Sequence, residues 1–284
     1  MSDEKHSALS RFLFRTGHLF VENPGFLIAF TVRFIGSLRF IILEFSESPA
    51  GAFHLAKRNG KQIARAFLRG IVPVLLTGFL TGYLIHNIAS GLGGTVHVLF
   101  DSLLMTHILK EILPLVTALI VAGRAGSAIA GKFAAAPAML IRPAASQSND
   151  QIRWTDRKVY DEVVPQVTAT VVTATLFYGV LVACVLAGYV PSDVRGASPH
   201  FTEMLMYASL PPYSSDIGGG AWRVAVCGLF IGVVSSAFGI RASEEFTSRT
   251  SQMFELHNAI WESTITSLTL CLGLVGSCLI ATTS

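Results

Sequence analysis

An all-α integral membrane protein is the fold class this sequence predicts, with an N-terminal interfacial helix followed by five transmembrane helices. Three observations predict it. The 284 residues are 51% hydrophobic and only 14% charged, with a mean hydropathy of +0.56, outside the balance of a water-soluble domain. Residues 71–89, 163–190 and 263–284 hold no Asp, Glu, Lys or Arg, and about 20 apolar residues cross a hydrocarbon core about 30 Å thick. Lys and Arg also alternate from one connection to the next, as their retention on the cytoplasmic side of a membrane requires.

The spans are expected at about 66–90, 97–130, 163–190, 222–241 and 259–281. The second is interrupted by Arg124, and the fourth is bracketed by Arg223 and Arg241. Lys57, Arg58, Lys61, Arg65 and Arg69 precede the first span, whereas the connection after it carries no Lys or Arg before residue 97. The 131–162 connection holds Lys132, Arg142, Arg153, Arg157 and Lys158, while 191–222 holds Arg195 against Asp193, Glu203 and Asp216. The predicted topology is therefore N-terminus inside and C-terminus outside, which an odd span count also demands. Residues 1–62 read as a cytoplasmic N-terminal segment and 63–284 as the five-helix membrane domain, with 131–162 as its main cytoplasmic loop. The first residues, "MSDEKHSALSR", have neither the apolar core of a secretory signal nor the acid-poor character of a transit peptide.

Residues 26–45, "FLIAFTVRFIGSLRFIILEF", are apolar enough for a further span, but Arg33 and Arg39 at its middle would cost about 2.5 to 3.5 kcal/mol each. A helix lying in the interface avoids that cost. Arg33, Gly36, Ser37 and Glu44 share one side of it, with phenylalanines and isoleucines around the rest; a re-entrant or tilted helix is the competing reading.

The second span has a polar lead-in, "TVHVLFDSLLMTHILKE", residues 95–111. On a helix, His97, Asp101, His107 and Glu111 fall within an arc of about 120°, with Lys110 at its edge. Polar groups at membrane depth face a bundle interior or a wet cavity, which makes Lys110, Glu111, Asp101 and His107 functional candidates; the competing reading has this part of the helix projecting into water. No compact metal site fits the His97 to His107 spacing. Cys184, Cys227, Cys271 and Cys278 all lie in spans and read as small buried hydrophobes, without disulfide or metal spacing.

"AGRAGSAIAGKF", residues 122–133, brings Gly126, Gly131 and Lys132 into phosphate-loop spacing, but Phe133 stands where the magnesium-binding hydroxyl belongs and no strand precedes it. Small residues recur instead every four positions: Ala122, Gly126 and Ala130, then Gly123, Ser127 and Gly131. Such rows let another helix backbone approach closely, so Gly123, Gly126, Ser127, Ala130 and Gly131 are helix-packing candidates. They leave Arg124 to find the interface or a partner. Downstream, Pro137 and Pro143 interrupt the loop, "ASQSND" reads as a turn, and "QIRWTDRKVYDEVVP" reads as a short amphipathic helix leading into the third span at Pro165. Residues 191–221, with "SLPPYSSDIGGG", read as an irregular outer loop.

"HILKEILPLVTALIVAGRAGSAIAGKF" resembles the signature of the MlaE/YrbE family, permease subunits of bacterial ABC transporters that work with MCE-domain proteins. Lys110, Glu111, Pro114, Ala122, Gly123, Arg124, Gly126 and Ala128 carry the likeness, which extends from about residue 26 to residue 281 and includes Asp156, Tyr160 and Pro165 ahead of the third span. The resemblance implies an MlaE-like ABC permease fold that dimerises, with an identical copy or a paralogue, in the bacterial inner membrane. It implies a cytoplasmic ABC ATPase that binds ATP and magnesium, a periplasmic MCE-domain protein, and phospholipid or another lipid as cargo. No cofactor is expected on this chain, no enzyme activity, and no nucleic-acid partner. The loop after the second span grips the ATPase in that family, making Arg124, Lys132, Arg142, Arg153 and Arg157 the coupling candidates. "AAAPAMLIRPAASQSNDQ" departs here from the family's acidic coupling helix. A divergent ATPase, coupling through Arg142 to Arg157, or a less active half of a heterodimer are the open readings of that departure. A proton-coupled secondary transporter using Glu111 and His107 is the alternative from another mechanistic class; a membrane enzyme is disfavoured by the lack of clustered catalytic groups, and a purely structural subunit is kept in play by the altered loop.

Overall fold

The computed structural model describes residues 24–47, 49–90, 107–135, 156–189, 213–244 and 249–283. All of them are helical or end a helix, and no strand occurs among them. We number the helices α1 (Pro24–Glu47), α2 (Pro49–Ser90), α3 (Ile108–Ala134), α4 (Asp156–Tyr189), α5 (Tyr213–Glu244) and α6 (Arg249–Thr283). Among the described residues four stretches are long and apolar enough to cross a membrane: Asn59–Ile85, Ile108–Ala134, Val159–Ala187 and Ser215–Ser243. The fifth expected span lies within α6, whose side chains are described only from residue 256 to residue 275.

Burial orders the bundle. In α5 72% of the most apolar window is buried, against 17% in α2, so α5 forms the centre and α2 an edge. Glycines let α5 sink that deep. Cβ atoms at Gly228 and Gly232 would stand 3.0 Å from the Cα atoms of Val171 and Val167 on α4, and one at Gly239 would stand 2.6 Å from the Ala130 carbonyl oxygen on α3. Backbone thus meets backbone, the packing that small residues permit where water supplies no hydrophobic drive between helices. The outward face of α2, with Leu68, Val72, Leu76, Phe79, Leu80 and Tyr83 exposed, is apolar as contact with lipid requires.

Phe30 and Phe34 of α1 enter a buried cluster with Ile129 and Phe133 of α3, Val159 to Val167 of α4, and Val233, Ala237 and Ile240 of α5. Those partners all belong to one end of the bundle, the end where α3 and α5 finish and α4 begins. Ser37 is buried on this same side, its hydroxyl donating to the Phe34 carbonyl at 2.6 Å, whereas Arg33 and Arg39 are exposed. The shared polar side expected for Arg33 and Ser37 is therefore corrected. Serine can turn inward because its hydroxyl is satisfied within its own helix, and a guanidinium cannot.

Two further boundaries differ from expectation. Helix α2 runs unbroken through residue 62, so the basic segment and the first span are one 42-residue helix. Residues 213–221, expected in an irregular loop, form the first turns of α5 despite Gly218, Gly219 and Gly220. Tertiary contact overrides the poor helix propensity of glycine here, because Gly220 sits where a Cβ would collide with the Tyr178 hydroxyl and with the Leu109 carbonyl.

Gly239→Ala is expected to destabilise the protein by about 1 to 3 kcal/mol through overpacking. Gly218→Ala, with open space around it, should leave stability unchanged or raise it by up to about 1 kcal/mol. Thermal unfolding of the two variants in the same detergent reads the difference.

Candidate functional site

Helix α3 contains two π turns, Ile108–Ile112 and Ala122–Gly126, and Lys110, Glu111, Gly123, Arg124 and Gly126 lie in them. A π turn inserts one extra residue into the helical repeat and breaks the regular pairing of carbonyls with amides, often at functional sites. At the first turn the Leu113 N–H donates to the Ile108 carbonyl, five residues back, and so abandons the Leu109 carbonyl. The next amide belongs to Pro114, which has no N–H, so the Lys110 carbonyl also loses its helical donor.

Both orphaned oxygens are filled by side chains from other helices. The Tyr178 hydroxyl of α4 donates to the Leu109 carbonyl at 2.8 Å, and the Arg223 guanidinium of α5 donates to the Lys110 carbonyl at 2.6 Å. Gly220 admits the Tyr178 ring to this position. The turn also aims its own side chains. Lys110 Nζ lies 2.6 Å from Asp216 Oδ1 on α5; the Asp216 side chain is 2% exposed and that of Lys110 35% exposed. Oδ2 of Asp216 is buried with no hydrogen-bond partner among the described residues. Glu111 Oε2 lies 3.2 Å from Nδ1 of the exposed His107, one turn earlier. A lysine, an aspartate, a glutamate, an arginine and a tyrosine thus converge around one irregular turn.

The second π turn repeats the pattern on the opposite end. The Ser127 N–H donates to the Ala122 carbonyl, which strips the Gly123 carbonyl of its regular donor, and the Ser127 hydroxyl donates to Gly123 instead at 2.6 Å. Arg124 reaches across to α2, where its guanidinium donates to the Arg69 carbonyl. That carbonyl has no helical donor because Pro73 stands four residues on. Each of two prolines thus leaves a vacancy on its own helix that an arginine from a neighbouring helix occupies.

Among the packing candidates, Gly126 and Ala130 are buried; a Cβ on Gly126 would meet the Ser235 hydroxyl of α5 at 2.9 Å. Gly131 faces Ile260 and Leu256 of α6 at ordinary contact distance. Gly123 is different, with nothing within 4 Å of the position its Cβ would take; its small size serves no contact within the described residues. Lys132 pairs with Glu162 of α4 at 3.5 Å. Asp101, Arg142 and Arg153 lie outside the described residues, as does the side chain of Arg157. The side chain of Cys278 does too, while Cys184, Cys227 and Cys271 are buried free thiols. No set of three or more His, Cys, Asp and Glu side chains among the described residues is placed to hold a metal ion.

Sequence reading did not reach Asp216, Arg223 or Tyr178. Signals for two of them were present: Pro114 marks the Lys110 carbonyl as needing a donor, and Asp216 is four positions before Gly220 in a glycine run that only close packing explains.

Comparison with known families decides what this apparatus belongs to. The profile of the family described as Permease MlaE matches residues 60–255. This chain belongs to the MlaE permease family. The matched stretch takes in both π turns, both proline-to-arginine pairings and the Lys110–Asp216 pair. MlaE permeases are membrane subunits of transporters and not catalytic enzymes, which agrees with four helices suited to membrane crossing. No curated protein matches the chain.

Two pairs of substitutions test the site's construction. Arg124→Gln should lower the unfolding temperature, and should do so less in a Pro73→Ala background, where the new N–H serves the Arg69 carbonyl. A double-mutant cycle should return a coupling of about 0.5 to 3 kcal/mol. Lys110→Ala strands a buried carboxylate at a cost of about 3 to 5 kcal/mol, and adding Asp216→Asn should recover most of it in the same unfolding assay.

Proposed function

We propose that this chain is the transmembrane permease subunit of an ABC transporter that moves phospholipid or another lipid between the bacterial inner membrane and a periplasmic MCE-domain protein. The family match over residues 60–255 carries the reading. In it the N-terminus is inside, α1 lies in the inner interface, α6 supplies the fifth span, and the chain dimerises with an identical copy or a paralogue. ATP and magnesium bind a separate cytoplasmic ATPase, and this chain holds no cofactor. The loop after α3 meets that ATPase, with Lys132, Arg142, Arg153 and Arg157 as contacts and Arg124 joining the end of α3 to α2.

The chemistry required of the permease is exposure of a polar path to a headgroup, with no covalent step. Lys110 and Glu111, with His107 and Asp101, supply that path. Lys110 is half satisfied by Asp216, and its remaining ammonium donors are available to a lipid phosphate. Irregular backbone at membrane depth is tolerated where it lines a cavity or is buried in protein, and the first π turn, with its carbonyls filled by Tyr178 and Arg223, has that character. A second reading, proton-coupled transport, draws on the 3.2 Å approach of Glu111 to His107, since a His–Glu pair at membrane depth is suited to relaying protons.

Purification in mild detergent is expected to bring down an ATPase, an MCE-domain protein and lipid, identified together by mass spectrometry. In vesicles reconstituted with that complex, Glu111→Lys should reduce ATP-dependent lipid transfer by about tenfold or more, the loss expected when a charge-assisted contact is reversed. Unchanged transfer in an assembled complex removes Glu111 from the path. Transport that follows an imposed pH gradient without ATP selects the second reading.

A further inference from the structure

Helices α2, α3 and α4 part at the end of the bundle where the span of α2 begins, leaving a half-open cleft of about 670 Å³. Its charge is one-sided. Arg65, Arg69, Arg124 and Lys132 line it, and no Asp or Glu does among the described residues. Lys132 is shared with Glu162, at 3.5 Å, beyond the lining. The inner end holds Thr173, 1% exposed, whose hydroxyl has no hydrogen-bond partner among the described residues. Val121, Ala125, Ile129 and Phe177 make the other wall apolar. The open space beside Gly123 belongs to this cleft.

Three guanidinium groups, an ammonium group and a buried hydroxyl facing an apolar wall are the complement of one chemical class. We propose that the cleft binds the phosphate of an anionic lipid, with the headgroup among Arg65, Arg69 and Arg124 and the first carbons of its chains against the apolar wall. Arginine forks match phosphate oxygens in pairs, and basic pockets between membrane helices on the cytoplasmic side hold anionic headgroups. The volume suits a headgroup with the start of its chains, within the range of small-molecule sites. The site is separate from the Lys110–Asp216 cluster: the cleft's residues on α3, Val121 to Lys132, lie about three to six turns further along the helix than Glu111. Placing the site in the inner leaflet rests on the N-terminus-inside orientation proposed above; the binding itself does not.

The test uses the full chain in a neutral detergent, titrated with dihexanoyl phosphatidic acid, dihexanoyl phosphatidylcholine and inorganic phosphate, with occupancy read by native mass spectrometry. One phosphatidic acid should bind per chain, about tenfold or more tighter than either other probe. Arg65→Gln with Arg69→Gln should weaken it about tenfold or more, Thr173→Val should weaken it several-fold, and Arg65→Lys with Arg69→Lys, which retains charge, should restore part of the loss. Inorganic phosphate binding as tightly as phosphatidic acid overturns the lipid assignment, and unchanged affinity in the Arg65→Gln, Arg69→Gln variant overturns the site. Loss of a copurifying ATPase in that variant, with lipid affinity unchanged, assigns the cleft to a protein partner instead. None of the binding measurements involves ATP or lipid transfer, so failure of this site and failure of the transporter reading are separately visible.

Discussion

A backbone carbonyl without a donor is expensive wherever water is excluded, and this protein would carry several in helices suited to membrane crossing. Pro73 and Pro114 each remove the amide that the carbonyl four residues earlier would use, and two π turns displace others. The oxygens of Arg69, Leu109, Lys110 and Gly123 accept instead from Arg124, Tyr178, Arg223 and Ser127. Three of those four donors bridge one helix to another. Satisfying the backbone and fastening the bundle are therefore the same act, and this sets where α2, α4 and α5 stand against α3.

The arrangement also explains why charged residues are tolerated in such apolar helices. Arg223, half-buried, spends a donor on a carbonyl that no amide can reach, so the cost of bringing its guanidinium inward is offset by removing a second cost already present, and Arg124 makes the same kind of bond from an exposed position on α3. Lys110 and Asp216 form the remaining pair, with one carboxylate oxygen of Asp216 still without a hydrogen bond. A buried pair of this kind is weak evidence for stability and better evidence for a retained task, and the polar path proposed for the permease is a task of that kind.

Much of this was legible in the residues. Charge-poor runs pointed to each of the four membrane-length stretches, and the small-residue rows around Gly126 and Ala130 lie where α5 comes close. Arg124 raised its own question, since nothing local answers it. What was illegible was pairing at a distance. Asp216 looked like an acidic loop residue because three glycines follow it, and only the nearness of Tyr178 and Leu109 gives Gly220 a reason to lie in a helix. Ser37 looked polar and outward, and is buried because its hydroxyl finds the Phe34 carbonyl. Both π turns escaped a reading based on a fixed 3.6-residue period, since a single inserted residue changes phase without changing composition.

Helix α2 has a mechanical consequence. At 42 residues it is about 63 Å long, roughly twice the thickness of the hydrocarbon it stands in. Its span is the least buried of the four, yet one face of it makes the most extensive helix pairing of the bundle, on α4, and the grip of Arg124 ties it to α3. That grip falls beside Pro73, where the helix lacks a hydrogen bond and bends most easily. A rod with its soft point near its middle works as a hinge: the basic arm before Pro73 can change its tilt while the apolar arm beyond it stays packed on α4, where a Cβ on Gly78 would stand 2.6 Å from Cys184.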